Sequence, residues 1–180
     1  MAQADSHHTL AVPSFDKPVK LLIVVAPYYK DIADQLLTGA RAALDAAGAT
    51  HDTVKVPGAL EVPQAIALAH RLSNFDGYVA LGCVIRGETT HYDTVCNDSS
   101  RALTLLGLQG ACVGNGILTV ETRDQAVVRA EAAGQNKGGG AAEAALHLIA
   151  LARRWGNATK GVGFKPAGDS YQVAGGSDTA

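Results

Sequence analysis

The chain has 180 residues, enough for a single domain to bury a sizeable core without disulfides or metals. Its 47% hydrophobic and 5% aromatic content suits parallel strands under aliphatic helices, and a formal net charge of −2 gives no global pull toward nucleic acid or anionic membrane. The first residues show neither a basic nor an apolar leader pattern, no window approaches the roughly 20 apolar residues of a membrane span, and Cys83, Cys96 and Cys112 form no C-x-x-C pair. The expectation is a cytoplasmic protein with reduced thiols and no metal site.

Residues 1–17 are polar and proline-containing and read as an arm. Residues 19–26 (VKLLIVVA) are a mostly apolar run rich in β-branched side chains, the pattern of a strand covered on both faces. From 30 to 47, Ile32, Leu36, Leu37, Ala40 and Leu44 recur at helical spacing, with Gly48 where a C-cap belongs. A short strand over 51–56 ends at Pro57-Gly58; Val62, Ile66, Ala69 and Leu72 mark a second helix; Asp76-Gly77 turns the chain. Residues 78–85 (YVALGCVI) form a third strand, and the helix after it carries Val95, Leu103 and Leu106 on its apolar side. Residues 111–120 form a fourth strand whose glycines predict bends or close backbone approach. A helix over 123–133, a break at 134–140 and a long helix over 141–155 complete the core. Residues 157–180 are small, polar and aperiodic, and are expected to form a mobile tail. Strands alternating with helices predict a parallel sheet with right-handed crossovers, an α/β domain over 18–156 between an arm and a tail.

In an open parallel sheet, ligands bind beyond the carboxyl ends of the strands. That rule nominates Pro27-Tyr28-Tyr29-Lys30, Pro57-Gly58-Ala59-Leu60-Glu61 and the segment 86–91 (RGETTH). In the third loop, a glycine followed by two threonines at a strand-to-helix junction aims backbone N–H groups and a helix dipole at one spot, which suits an anion. The same residues also suit an ordinary turn with Thr89 or Thr90 as N-cap, and Glu88 argues against an anion if it faces inward. His91, just past this loop, titrates near neutrality and is placed to move protons, or else is a solvated histidine. Glu61 can hydrogen-bond ligand hydroxyls or simply favour a helix dipole; Tyr28 can stack on a planar ring or cover the sheet edge. Cys83 reads as buried filler ahead of a functional thiol. Arg129 and Lys137 read as solvated or helix-capping cations, and glycines 138–140 lack phosphate-loop spacing, so they read as a plain loop.

Four segments together carry a resemblance: VPGALEVP at 56–63, GCVIRGETTHYD at 82–93, ILTV at 117–120 followed by Ala126, and Arg129 followed by NKG at 136–138. In order and spacing they resemble the lumazine synthase family over roughly residues 19–155. The resemblance implies a flavodoxin-like three-layer sandwich with a four-stranded parallel sheet. It implies condensation of 5-amino-6-(D-ribitylamino)uracil with 3,4-dihydroxy-2-butanone 4-phosphate to 6,7-dimethyl-8-ribityllumazine, with loss of phosphate and water and without cofactor. By similarity, Tyr28 stacks on the uracil ring, Ala59, Leu60 and Glu61 meet the ribityl chain, and Cys83, Val84 and Ile85 line the pyrimidine site through their backbone. Glu88 and Thr89 match positions whose amides hold phosphate, Arg129 matches the phosphate-binding arginine, Lys137 lies in the matching NKG segment, and His91 matches the proton carrier. Three positions depart: Asn115 stands where an aromatic residue often covers the pyrimidine, Ala133 replaces a lysine, and Tyr29 replaces an asparagine.

The resemblance further implies a homopentamer, with a sixty-subunit icosahedral shell as the larger alternative, because Asn115 and Arg129 are expected on the subunit next to the one supplying Tyr28 and His91. Riboflavin synthase is a candidate partner. Two other readings compete: a non-catalytic flavin- or lumazine-binding protein on the same fold, which has no need of Arg129, and a nucleotide-binding regulator, which needs a phosphate loop where PYYK offers no glycine.

Overall fold

A computed structural model describes residues 10–156; residues 1–9 of the arm and the tail expected over 157–180 lie outside the described residues. The chain alternates β1 (Lys20–Val25), α1 (Lys30–Ala46), β2 (Thr50–Lys55), α2 (Glu61–Leu72), β3 (Gly77–Ile85), α3 (His91–Leu108), β4 (Val113–Val120), α4 (Arg123–Ala130) and α5 (Lys137–Gly156). The four strands form one parallel sheet in the order β2-β1-β3-β4, as the strand-helix alternation predicts. Among the described residues, no helix is long and apolar enough to cross a membrane.

Because β1 lies inside the sheet, its side chains are buried to both sides. Leu21, Ile23 and Val25 join a cluster with Ile32, Leu36 and Leu44 of α1 and Leu146 and Ile149 of α5. Leu22, Val24 and Ala26 join a second cluster with Val62 and Ile66 of α2 and Leu103 of α3. Each fully buried aliphatic side chain contributes about 1.5–3 kcal/mol, so this one hexapeptide anchors both outer layers. Edge strand β2 is the contrast: it alternates exposed with half-buried residues and carries charges, with Asp52 paired to Lys20 at 2.7 Å.

The structure corrects the expected elements at three boundaries. Gly77 does not turn the chain but opens β3, paired with Leu21. A Cβ there would stand 3.0 Å from the Cys112 carbonyl oxygen and 2.7 Å from Ile149 Cδ1, so the neighbouring chain and the α5 side chain leave it little room. Helix α4 stops at Ala130 instead of 133, and the stretch expected to break, 134–140, contains the first four residues of α5.

The reason lies in what α5 packs against. Asn136, at φ 47°, turns the chain and accepts the Gly139 N–H on its side-chain Oδ1 at 3.0 Å, which starts the helix. A Cβ on Gly138 would lie 2.0 Å from the carbonyl oxygen of Leu36 in α1. Farther along, a Cβ on Gly114 of β4 would lie 1.8 Å from the carbonyl oxygen of Ala141. Glycine costs a helix about 1 kcal/mol relative to alanine, but here it lets α5 touch α1 and β4 backbone to backbone. Buried Ala141, Ala142 and Ala145 extend the same close surface.

Gly138→Ala is therefore expected to destabilise the fold by about 1–3 kcal/mol, the usual cost of overpacking a tight contact. Gly140→Ala, two residues on, is exposed with open space around its Cβ and is expected to be neutral or stabilising by up to about 1 kcal/mol. Denaturant melts of both variants at one protein concentration check the contrast; equal effects would remove the packing explanation.

Candidate active site

After β1 the chain crosses to β2 on one side, then returns to place β3 on the other. The loops leaving β1 and β3 therefore diverge, and a crevice opens at the carboxyl ends of these two strands. A cavity of about 400 Å³ occupies it. The loop after β1 contributes Tyr28 and Tyr29, the loop before α2 contributes Gly58, Ala59 and Leu60, and α2 begins with Glu61 at the rim. Cys83, Val84 and Ile85 at the end of β3 form the floor, with Gly87, Thr89 and His91 on the far wall. Thus ten of the residues nominated from sequence converge here: Tyr28, Ala59, Leu60, Glu61, Cys83, Val84, Ile85, Thr89, His91 and the neighbouring Tyr29. Glu88, between Gly87 and Thr89, is exposed and does not line the cavity.

Tyr28 is 74% exposed, unusual for a large aromatic side chain beside a cavity, and leaves a ring face free for a planar ligand. Tyr29 supports it edge-on, with ring centroids 5.0 Å apart and an interplanar angle of 75°. Behind Tyr29, the Arg123 guanidinium lies 5.9 Å from its ring and pairs with Asp31 at 2.6 Å. That hydrogen bond from Arg123 holds the Asp31 carboxyl below its ordinary range, while burial raises the Tyr29 phenol, which stays neutral. The aromatic wall is thus pinned to the first turns of α1 and α4.

Helix α3 begins at the opposite wall. Its N-cap is Thr90, whose side chain makes no capping hydrogen bond; the nearest substitute is a long contact from the His91 N–H to Thr89 Oγ1 at 3.4 Å. The turn-and-cap alternative is therefore weak here, and the helix N-terminus reaches the cavity without a side chain to saturate it. His91 is exposed at that terminus, free to approach a ligand.

Asn115, Arg129 and Lys137 do not enter this cavity. They line a separate cleft of about 430 Å³ between the open edge of β4 and the start of α5, and the two cavities share no lining residue. Arg129 is half-buried, and one terminal nitrogen donates to the Gln125 carbonyl at 3.0 Å, leaving the rest of its fork for a ligand. Lys137 opens α5, exposed, on the same cleft.

Sequence reasoning missed Tyr92 and Val95, which line the main cavity from the first turns of α3. The sequence places Val95 only on the apolar side of this helix, and the residue is half-buried at the cavity. The available signal was its i,i+4 spacing from His91, which puts both on one face of the helix.

The family model for 6,7-dimethyl-8-ribityllumazine synthase matches residues 18–153. A 6,7-dimethyl-8-ribityllumazine synthase of Jannaschia sp. (strain CCS1) is 62% identical over 175 residues, spanning 97% of this chain and 98% of the relative. That alignment reaches beyond the family-model span into the terminal segments. Proteins of the same description from Sphingopyxis alaskensis and, with the suffix 1, from Rhizobium meliloti are each 55% identical, over 76% and 78% of this chain and 96% and 95% of their own lengths.

Cys83 brings a potential nucleophile to the cavity floor. Burial, the largest cause, pushes its thiol up to about 11, so the protonated form holds at neutral pH. The expectation is therefore a small wall of the cavity floor and not an attacking group. Iodoacetamide labelling of native protein, read by mass spectrometry, is expected to spare Cys83 at neutral pH and to rise only toward pH 11. Cys83→Ala is expected to keep turnover near that of the unmodified protein; rapid labelling with loss of activity at neutral pH would reverse the assignment.

Proposed function

The chain belongs to the 6,7-dimethyl-8-ribityllumazine synthase family, a transferase of riboflavin biosynthesis, and on that premise we propose how its own residues divide the work. The substrates are 5-amino-6-(D-ribitylamino)uracil and 3,4-dihydroxy-2-butanone 4-phosphate, joined with release of phosphate and water in a cytoplasmic enzyme whose catalytic domain is 18–156. The observation that carries the assignment is the cavity between β1 and β3, whose walls supply an exposed aromatic ring, a carboxylate at a helix mouth and a histidine beside an uncapped helix N-terminus.

Tyr28 stacks on the pyrimidine, and backbone groups of Cys83, Val84 and Ile85 read its edge. Ala59, Leu60 and Glu61 hold the ribityl hydroxyls, the carboxylate of Glu61 accepting from them. Amides at Glu88 and Thr89 take the phosphate, so the exposed Glu88 side chain need not meet it. His91 carries protons during imine formation, phosphate elimination and ring closure. Much of the acceleration comes from holding both substrates in one crevice, since proximity alone is worth about 7–11 kcal/mol in well-oriented systems.

Arg129 and Lys137 are a phosphate-binding pair by charge, yet they sit in the other cleft. This separation supports a site completed by a second copy: one subunit offers the cavity at β1 and β3, and its neighbour offers Asn115, Arg129 and Lys137. A cyclic homopentamer joins the two halves in a ring, and an icosahedral shell of sixty subunits is its larger form. The non-catalytic lumazine-binding alternative is disfavoured because it leaves Arg129 without a role.

Mixing both substrates with purified protein and following lumazine fluorescence tests the reading; a rate equal to the uncatalysed background overturns it. Arg129→Ala is expected to raise KM for the butanone phosphate by roughly 10–100-fold, the loss of one charge-assisted hydrogen-bond pair, with pyrimidine KM little changed. His91→Ala is expected to lower kcat by up to about 100-fold while pyrimidine binding holds. Light scattering on the eluting active species checks the assembly: a mass near 18.5 kDa sinks the shared site, and five subunits leave the ring but remove the shell.

A further inference from the structure

Arg86 follows β3 directly and is outside the cavity lining, yet its side chain ties the end of β3, which forms the cavity floor, to the start of α3 on the cavity wall and to the residue after β4. Its backbone N–H donates to the Val120 carbonyl at 2.9 Å, prolonging the pairing of β3 with β4 by one residue. Nε donates to Glu121 Oε2 at 2.6 Å, just past the end of β4. The terminal nitrogens reach the Asp93 carboxylate at 3.3 and 3.5 Å, in the first turn of α3. The guanidinium carbon lies 4.1 Å from the centroid of the Tyr92 ring, which itself lines the cavity. Glu121 is fixed in turn, since its N–H donates to Gln125 Oε1 at 2.9 Å on α4.

The segment this guanidinium spans has little else to hold it. Residues 86–91 are all exposed, a Cβ on Gly87 would meet open space, and Thr90 makes no side-chain cap. The same segment bears Gly87, Thr89 and His91 on the cavity wall. We propose that Arg86 is a positioning residue: it brackets the 87–91 segment from both ends, setting the His91 ring and the loop amides against the floor formed by Cys83, Val84 and Ile85. The proposal rests on the assignment of His91 as proton carrier. Arg86 is not itself a phosphate ligand, because two carboxylates and an aromatic face already occupy its donors and its plane.

Two features make the role separable from stability. All three charged partners are 40–57% exposed, and such surface pairs add little to folding free energy. Positional errors of about 1 Å at reacting groups, by contrast, cost up to roughly 100-fold in rate. Lysine cannot replace the arrangement, since a point charge cannot serve two carboxylates in a fixed fork while lying flat on a ring.

The test measures kcat, both KM values and thermal melting for Arg86→Gln and Arg86→Lys, each with and without His91→Ala. Arg86→Gln is expected to melt within a few degrees of the unmodified protein while kcat falls roughly 10–100-fold and pyrimidine KM holds. Arg86→Lys is expected to recover only part of the loss. In the His91→Ala background the same Arg86→Gln change is expected to cost much less, because the group it positions is gone. Equal fold-losses in both backgrounds overturn the proposal, as does an intact kcat, whether or not the butanone phosphate KM rises. A lowered melting temperature with unchanged kcat per folded enzyme overturns it in favour of a purely structural arginine. A failure of the underlying reading is distinct: His91→Ala alone would then leave kcat unaltered.

Discussion

The parallel pairing of β1 with β3, from Leu21 against Gly77 to Val25 against Leu81, is the constraint on which the rest of the molecule rests. It puts two buried strands side by side although an α-helix, an edge strand and a second helix separate them along the chain. Their side chains seed both core clusters, so the helices on each face are held by the same central pair. The loops leaving these strands must then part in opposite directions, and the gap between them is where a ligand fits without any element being bent to make room. Tyr28 and His91, 63 positions apart in the chain, face one cavity for this reason.

On the outer side of the sheet the controlling feature is the lack of side chains. Gly138 and Gly114 let α5 approach α1 and β4 at backbone distance, and that approach brings Lys137 beside Arg129 and Asn115 on one cleft. The helix thereby does two things: it seals the core with small residues, and its first turn presents a cation at an open sheet edge. A larger residue at either glycine would lift the helix and the cleft together. This cleft and the main cavity share no lining residue, and neither alone offers both an exposed aromatic ring and a pair of cations.

The main cavity combines firmly held and lightly held walls. Val84 and Ile85 belong to the sheet, and the Tyr29, Arg123 and Asp31 cluster pins the aromatic side to two helices. The wall that carries His91 has neither burial nor caps, and depends on Arg86 and its two carboxylates. An exposed segment built this way keeps room to move while its end points stay set by a few directional, charge-assisted contacts.

Local pattern alone determined the α/β class, the four strands and the first helices, because burial on both faces leaves runs such as LLIVV, and amphipathic packing leaves 3.6-residue spacing. It also marked the loops that converge on the main cavity, and the GCVIRGETTHYD segment pointed to the family. The tertiary structure alone decided three things. It turned glycines 138–140 from a break into a helix start, because the Leu36 carbonyl that demands Gly138 lies about a hundred residues away in the chain and leaves no local trace. It placed the apolar Val95 at the cavity, since periodicity shows that a helix face is apolar but not what covers it. It set Lys137 beside Arg129 on the β4 cleft and away from the cavity that holds His91, because the distance between two loops depends on how helices stack, and stacking is a property of surfaces that meet only after the chain has folded.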